Sequence, residues 1–516
     1  MLVKLLPILS IILFLIRLNK CARILGVFPC ASPSHYILDN ALMRGLAEAG
    51  HDVTLISPFT EKDPPKNGSW REIILDGFVK NHEKHFQDIN RLKNPSNPFF
   101  IFFTTNLLGN QLTEETMKNP KVQNLLMSNE KFDVVILEYF FTDGLTTLAK
   151  YFDAHLILMS PVAANMWNNH VVGNPSLPSL YPDITLGYPF KMSFYQRFKN
   201  TFHLINNYIN LNFIFYPKQN EIVQKYLPKS IDMRESISNI SLMFLNSHVS
   251  LSKPQAHVPN MIEIGGFHIM PPNKLPADLQ ILLDNAKNGV IYFSMGSNLK
   301  SKNLPIEMRN EILKAFRKRK EIVLWKWEDD FLPNQPSNVF LKKWLPQQDI
   351  LAHPNVKAFI THGGYLSSSE AVYHGVPIIA IPIFGDQKAN ANLAEQLGYG
   401  RILPPSEISE EKLTALLDEI IHNAKYRENV QARSQIMHDR QVKPIDTAVY
   451  WVEYVIRHKG ARHLRVTYTD LSWYQYYMLD IFTVTFGLIF IAILIIKKVW
   501  SVFCMTNKRV VKQKQF

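Results

Sequence analysis

Cysteine is scarce. The chain of 516 residues has three, Cys21, Cys30 and Cys504. Cys21 and Cys504 lie near hydrophobic ends, so Cys30 has no partner in the body of the chain and no disulfide framework is expected. Asp-x-Asp is absent throughout, so a metal-bridged diphosphate site is not supported. No G-x-x-x-x-G-K-[ST] loop occurs, which disfavours ATP. No G-x-G-x-x-G follows the first apolar strand, which counts against a dinucleotide. The formal net charge is +12, but no basic stripe is interleaved with aromatics, so nucleic acid is not an expected partner. Short-period repeats and low-complexity segments are missing too. What remains is globular: 47% hydrophobic and 19% charged residues, with length for about three domains of roughly 150 residues each.

Both ends are apolar. Lys4 precedes the run Leu5 to Leu15, and small or polar residues follow near Cys21 and Ala22. This is the pattern of a secretory signal over residues 1–21; an N-terminal membrane-anchoring helix is the competing account. A second apolar run, Ile481 to Ile496 within an expected span of 476–498, follows Trp473, Tyr474, Tyr476 and Tyr477 and is closed by Lys497 and Lys498. About 20 such residues span a bilayer of roughly 30 Å, and aromatics before with lysines after fit the interfacial belt and the positive-inside rule. The tail 499–516 is basic and has no acidic residue. Its Lys512 and Lys514 resemble a dilysine retrieval signal. The expectation is a single-pass type I protein of the endoplasmic reticulum membrane, body lumenal and tail cytosolic. Asn67 and Asn239 stand in Asn-x-Ser triplets and are candidate glycosylation sites.

Between the ends, apolar strands alternate with helical patterns, the signature of parallel α/β units. Ile24 to Phe28, a helix from about Tyr36 to Ala49, and Val53 to Ile56 make one βαβ unit. Phe132 to Leu137 and Leu156 to Met159 add strands. Aromatic insertions at 99–103 and 194–215 could line an apolar pocket, meet a membrane surface or cover core. Prolines 254, 259, 271 and 272 cluster in a linker, after which Val290 to Ser294 opens a second α/β series. The organisation read is an N-terminal Rossmann-like domain over 22–255, a linker over 256–272, a C-terminal Rossmann-like domain over 273–440, and an amphipathic helix with juxtamembrane segment over 441–475.

The stretch 359–388 is the most informative. An apolar strand runs into Thr361, His362, Gly363 and Gly364, a helix with Ser367 and Glu370 follows, and the next strand ends at Phe384-Gly385-Asp386-Gln387. Backbone N–H groups at such a helix start favour an anion, so the turn reads as a phosphate seat. Ser367 and Glu370 also have the S-x-x-E spacing of a capping box, in which each side chain satisfies the other's backbone donor.

WLPQQDILAHP at 344–354, FITHGGYLSSSEA at 359–371 and FGDQ at 384–387 resemble the signature of the UDP-glycosyltransferases. PNMIEIGGFHI, FSMGSN and HKGARHL extend the likeness over nearly the whole body, in the manner of the animal membrane-bound members and in particular the arthropod branch. The resemblance implies a GT-B fold, two facing Rossmann-like domains with the acceptor in the first and the UDP-sugar in the second. It implies that Trp344 stacks on uracil, Gln347 reaches the uridine, and Glu370 takes the ribose hydroxyls. His362 with the backbone at Gly364 would hold the diphosphate, with Ser297 and Ser367 as further contacts. Asp386 and Gln387 would bind the transferred sugar. His35 would be the base that deprotonates the acceptor hydroxyl, giving inversion at the anomeric carbon. Its carboxylate partner is open between Glu138, which departs from the family's Asp, and Asp143, which is slightly preferred. No metal and no cofactor beyond the UDP-sugar donor are expected. Glucose is favoured over glucuronic acid because Lys388 is the one cation beside Asp386-Gln387, and small lipophilic acceptors are expected. A non-catalytic binding protein of the same fold is the alternative, and a homo-oligomer stays open.

Overall fold

The structure is a computed structural model that describes residues 21–81, 98–466 and 471–513. The signal expected over 1–21 falls, but for Cys21, outside the described residues, as do Lys514 and the side chains of Phe99 to Phe103.

Two parallel sheets carry the body. The first comprises β1 (Arg23–Val27), β2 (Asp52–Ser57), β3 (Ser69–Ile74), β4 (Val134–Glu138), β5 (His155–Ser160), β6 (Ile240–Leu245) and β7 (Met261–Glu263). Their order is β3-β2-β1-β4-β5-β6-β7. The second comprises β8 (Val290–Ser294), β9 (Ile322–Lys326), β10 (Val339–Lys342), β11 (Val356–Thr361), β12 (Ile378–Ala380) and β13 (Gly400–Ile402), in the order β10-β9-β8-β11-β12-β13. Each sheet reverses direction of strand addition once, between β1 and β4 and between β8 and β11, the doubly wound arrangement. Parallel strands covered on both faces read as continuous apolar runs. In β4, Val135 and Leu137 enter one core cluster while Val134 and Ile136 enter another; β8 divides Tyr292 from Ile291 and Phe293 likewise.

The helices that bear on the cleft, its supporting walls and the membrane are α1 (Pro33–Glu48), α2 (Phe194–Asn210), α3 (Tyr365–Tyr373), α4 (Gln387–Gln396), α5 (Pro444–Arg457) and α6 (Leu479–Gln513). Two boundaries differ from expectation. β7 lies inside the expected linker, because Met261 to Glu263 pair with Met243 to Leu245 and complete the first sheet. The amphipathic helix α5 is no mere juxtamembrane segment. Ala448, Val452 and Val455 are fully buried in the cluster of Leu38 and Leu42, so α5 packs on the first domain against α1.

A separate compact unit begins at Val466. Its helix α6 is long and apolar enough to cross a membrane over Leu479–Met505, 27 residues, or about 40 Å at 1.5 Å per residue. It starts three residues after the expected span and continues past 498.

Candidate active site

In doubly wound sheets ligands bind beyond the strands' carboxyl ends, at the point where the order reverses. Here both reversal points open on one cleft of about 590 Å³, walled by the two domains. Of the site residues that the resemblance implies, all line it except Glu138, which hydrogen-bonds His35.

The first-domain wall begins where β1 turns into α1. Pro33 takes the first helical position, where a missing N–H costs nothing, and His35 follows two residues later. Its Nδ1 hydrogen-bonds Oε1 of Glu138, the last residue of β4. Strand end and helix start meet because β1 and β4 are paired neighbours. Burial alone would lower the His35 pKa, but Cys30 and Glu138 outweigh it and hold it well above the ordinary value. Phe140 packs on the imidazole at 4.5 Å between ring centres.

The preference for Asp143 as partner is overturned. Between it and β4 the chain turns through Phe141 at φ 61°. Asp143 then accepts the Tyr139 hydroxyl at 2.6 Å, and burial lifts its pKa to about 6. The extra methylene of Glu138 brings its carboxylate to the ring.

In the second domain, Gln347 organises a polar network. Its Nε2 donates to Ser367 Oγ at 3.1 Å and to Glu370 Oε2 at 2.6 Å, and its Oε1 accepts Tyr292 Oη at 3.2 Å. Gln348 donates to Glu370 Oε1 at 3.3 Å. Burial raises the Glu370 pKa to about 7 against these amide donors. The capping-box reading is overturned: α3 is capped by Gly364, three residues before Ser367, with no side-chain cap bond. Ser367 and Glu370 are therefore interior helix residues that face the cleft.

His362 ends β11. An added Cβ at Gly364 or at Gly296 (φ +86°) would run into its ring, so both glycines fix where the imidazole sits. Burial, aided by Lys326, lowers its pKa to about 4. The ring is thus neutral and offers an N–H, not a charge. The cation is one that the sequence reading missed. Lys326 closes β9, donates to the Gly296 carbonyl at 3.0 Å and to Glu328 at 2.8 Å, and lies 5.7 Å from the Trp344 ring centre. A lysine ending an otherwise apolar strand was the available signal. Trp344 is 64% exposed, a face open for stacking. Ser297 lies in the Gly296 turn and lines the cleft.

Asp386 and Gln387 open α4. Asp386 accepts Asn390 Nδ2 at 2.6 Å. Burial raises its pKa, while that bond and His35 across the cleft work against the shift, which places the two walls within electrostatic reach. Gln387 Oε1 accepts the backbone N–H groups of Ile383 at 2.8 Å and Phe384 at 3.1 Å. Its carbonyl is committed to the loop, so its amide presents donors to the cleft beside the Asp386 carboxylate. Asn390 and Asn298 were also missed. Asn298 and Ser32 exchange hydrogen bonds at 2.8 and 3.0 Å, joining the domains at the cleft.

The arrangement offers a half-buried imidazole with a carboxylate partner, facing an aromatic platform, a lysine, a helix start and a set of polar side chains. A family model described as UDP-glucoronosyl and UDP-glucosyl transferase matches residues 68–515. A UDP-glycosyltransferase of Dactylopius coccus is 38% identical over 92% of this chain and 90% of its own length. The UDP-glucuronosyltransferase 1A9 of Mus musculus is 30% identical, with 91% and 90% covered. Among solved structures, the spinosyn forosaminyltransferase superposes with TM-score 0.55 at 16% identity, over 85% of this chain and all of that one. The kitacinnamycin glycotransferase gives 0.54 at 15%, over 84% and 99%. These two show the fold, GT-B.

Proposed function

The chain belongs to the UDP-glucoronosyl and UDP-glucosyl transferase family, and we propose that it transfers a hexosyl group, with inversion, from a UDP-sugar to hydroxyl groups of small lipophilic acceptors. The observation that carries this reading is the His35–Glu138 pair standing across one cleft from Trp344, Lys326 and Asp386. Nε2 of His35 takes the acceptor's hydroxyl proton, and Glu138 at Nδ1 holds the ring and stabilises the imidazolium. The acceptor oxygen bonds to the anomeric carbon as its bond to the UDP oxygen breaks. Charge gathering on UDP is met by the α3 backbone N–H groups, the His362 N–H and the Lys326 ammonium. Trp344 supports the uracil, a contact worth roughly 1–3 kcal/mol, and Glu370 takes ribose hydroxyls. Ser297 and Ser367 are further contacts to the nucleotide. These groups do the work assigned elsewhere to a bridging cation, so the reaction is proposed to need none; chelator-treated protein should keep its rate.

Glucose is the donor proposed. Lys388, the cation beside Asp386-Gln387, is exposed and its stem lies against Gly187, which leaves a uronate without a dedicated partner. A relative in Dactylopius coccus is itself named UDP-glucosyltransferase 2. Lipophilic phenols offered with UDP-glucose and UDP-glucuronic acid, read by mass spectrometry, decide between donors. His35→Ala should lower transfer by about 10²–10⁴-fold with UDP binding unchanged; transfer at the normal rate would sink the mechanism.

The apolar helix supports a membrane-anchored protein, proposed to lie in the endoplasmic reticulum with its body lumenal. Asn67 and Asn239 are both exposed, so endoglycosidase should shift the microsomal protein's mobility, and Asn67→Gln with Asn239→Gln should remove the shift.

A further inference from the structure

We propose that Cys30, His35 and Glu138 form an inhibitory binding site for a borderline-soft divalent cation, with zinc the ion it fits. The cysteine sulfur, imidazole nitrogen and carboxylate oxygen all lie within 4.8 Å of one another. They are the donor types zinc takes, at about 2.0–2.3 Å. Hard cations such as magnesium prefer cages of oxygen.

Two further observations point to a missing cation. Glu138 is 1% exposed, and its Oε2 has no hydrogen-bond partner among the described residues. Asp39, one helical turn beyond His35 in α1, is also 1% exposed, and neither of its carboxylate oxygens has a partner. Buried carboxylate oxygens without donors are costly. A divalent ion held by Cys30, His35 and Glu138 would satisfy the Glu138 carboxylate, with Asp39 close by in the helix that carries His35. Cys30 and His35 line the cleft, which gives the ion a way in.

Occupancy removes the base. A neutral imidazole has one N–H and one lone pair. With the lone pair on the metal, the other nitrogen carries the proton, and nothing is left to accept one from an acceptor hydroxyl. This holds whichever nitrogen is metallated. The nucleotide wall is untouched, so UDP binding persists. The inhibition rests on His35 being the base; the binding of metal does not.

The full-length protein, stripped with chelator, is titrated with zinc chloride and, as control, magnesium chloride. Transfer, UDP affinity and the near-ultraviolet thiolate-to-cobalt absorption of the cobalt(II)-loaded protein are followed. Zinc should abolish transfer reversibly without moving UDP affinity, and cobalt should give the absorption band. Cys30→Ala should lose the band while keeping Cys21 and Cys504. It should need at least about 10-fold more zinc to halve its own metal-free rate. Glu138→Gln should weaken zinc binding in competition with a chromophoric chelator. No band in the wild type, or equal zinc sensitivity in Cys30→Ala, overturns the site. A Cys30-dependent band in a protein whose His35→Ala variant still transfers keeps the metal site and overturns the base.

Discussion

Glu370 is pulled in two directions by its surroundings. Burial favours its protonated form and lifts its pKa to about 7, while Gln347 and Gln348 hydrogen-bond the carboxylate. A carboxyl whose folded pKa lies above its unfolded value stabilises the fold at low pH. That contribution is lost as pH rises from about 4.5 towards 7. The ribose contact proposed for Glu370 is strongest with the ionised form, in which both oxygens accept, so UDP affinity should move the other way. Calorimetry should show UDP binding tighten as pH rises through about 7 while the unliganded protein's melting temperature falls, and Glu370→Gln should flatten both trends. At the other wall, Glu138→Gln should cost about 10²-fold or more in transfer, and Asp143→Asn far less, since Tyr139 and not His35 holds Asp143. The spacing of Ser367 and Glu370 could not decide between capping and cleft, because S-x-x-E occurs in both. The helix start at Gly364 decided it, and that start depends on the His362 turn.

At the scale of elements, legibility followed burial in part: β6 (ISLMFL) is buried throughout and was still not read as a strand. β8 was readable to the residue, since five buried residues leave one periodicity available. β3 (SWREII) and the three-residue strands β7 and β13 were not, because short, edge or half-exposed strands carry little apolar pattern. α2 shows the reverse of a water-soluble helix. Its buried side chains are Asn200, His203 and Asn207, while Phe194, Phe198, Phe202, Ile205 and Ile209 are exposed. Asn200 is held by the carbonyls of Pro178 and Tyr181, both at 2.8 Å. An apolar stripe turned outward and fixed by inward polar bonds suits a membrane surface better than water, the second of the three accounts open for the 194–215 insertion. Full-length Phe198→Trp in brominated-lipid vesicles should therefore be quenched more than the unsubstituted protein, whose Trp473 and Trp500 set the background. Quenching no greater than that background would place the face away from lipid.

For the molecule as a whole, the order of the chain and the order of the domains differ. The amphipathic pattern of α5 was plain in the sequence, but where it packs was not, since periodicity reports that a face is buried and not against what. That face closes the first domain, where Ile445 fits against Gly45 of α1 and Ala448, Val452 and Val455 lose all exposure. With Ser32 and Asn298 bonded across the cleft, the chain leaves the second domain only to finish the first. Burying an apolar side chain of this size gains about 1.5–3 kcal/mol, so α5 contributes on the order of 5 kcal/mol, a large share of the roughly 5–15 kcal/mol that holds a domain together. A chain ending at Arg465 should then stay soluble in mild detergent and show a UDP-dependent rise in melting temperature. One ending at Lys443 uncovers Leu38 and Leu42 and should aggregate without any such rise. An intact UDP response in the shorter chain would mean that α5 is an accessory to the first domain and not part of its core.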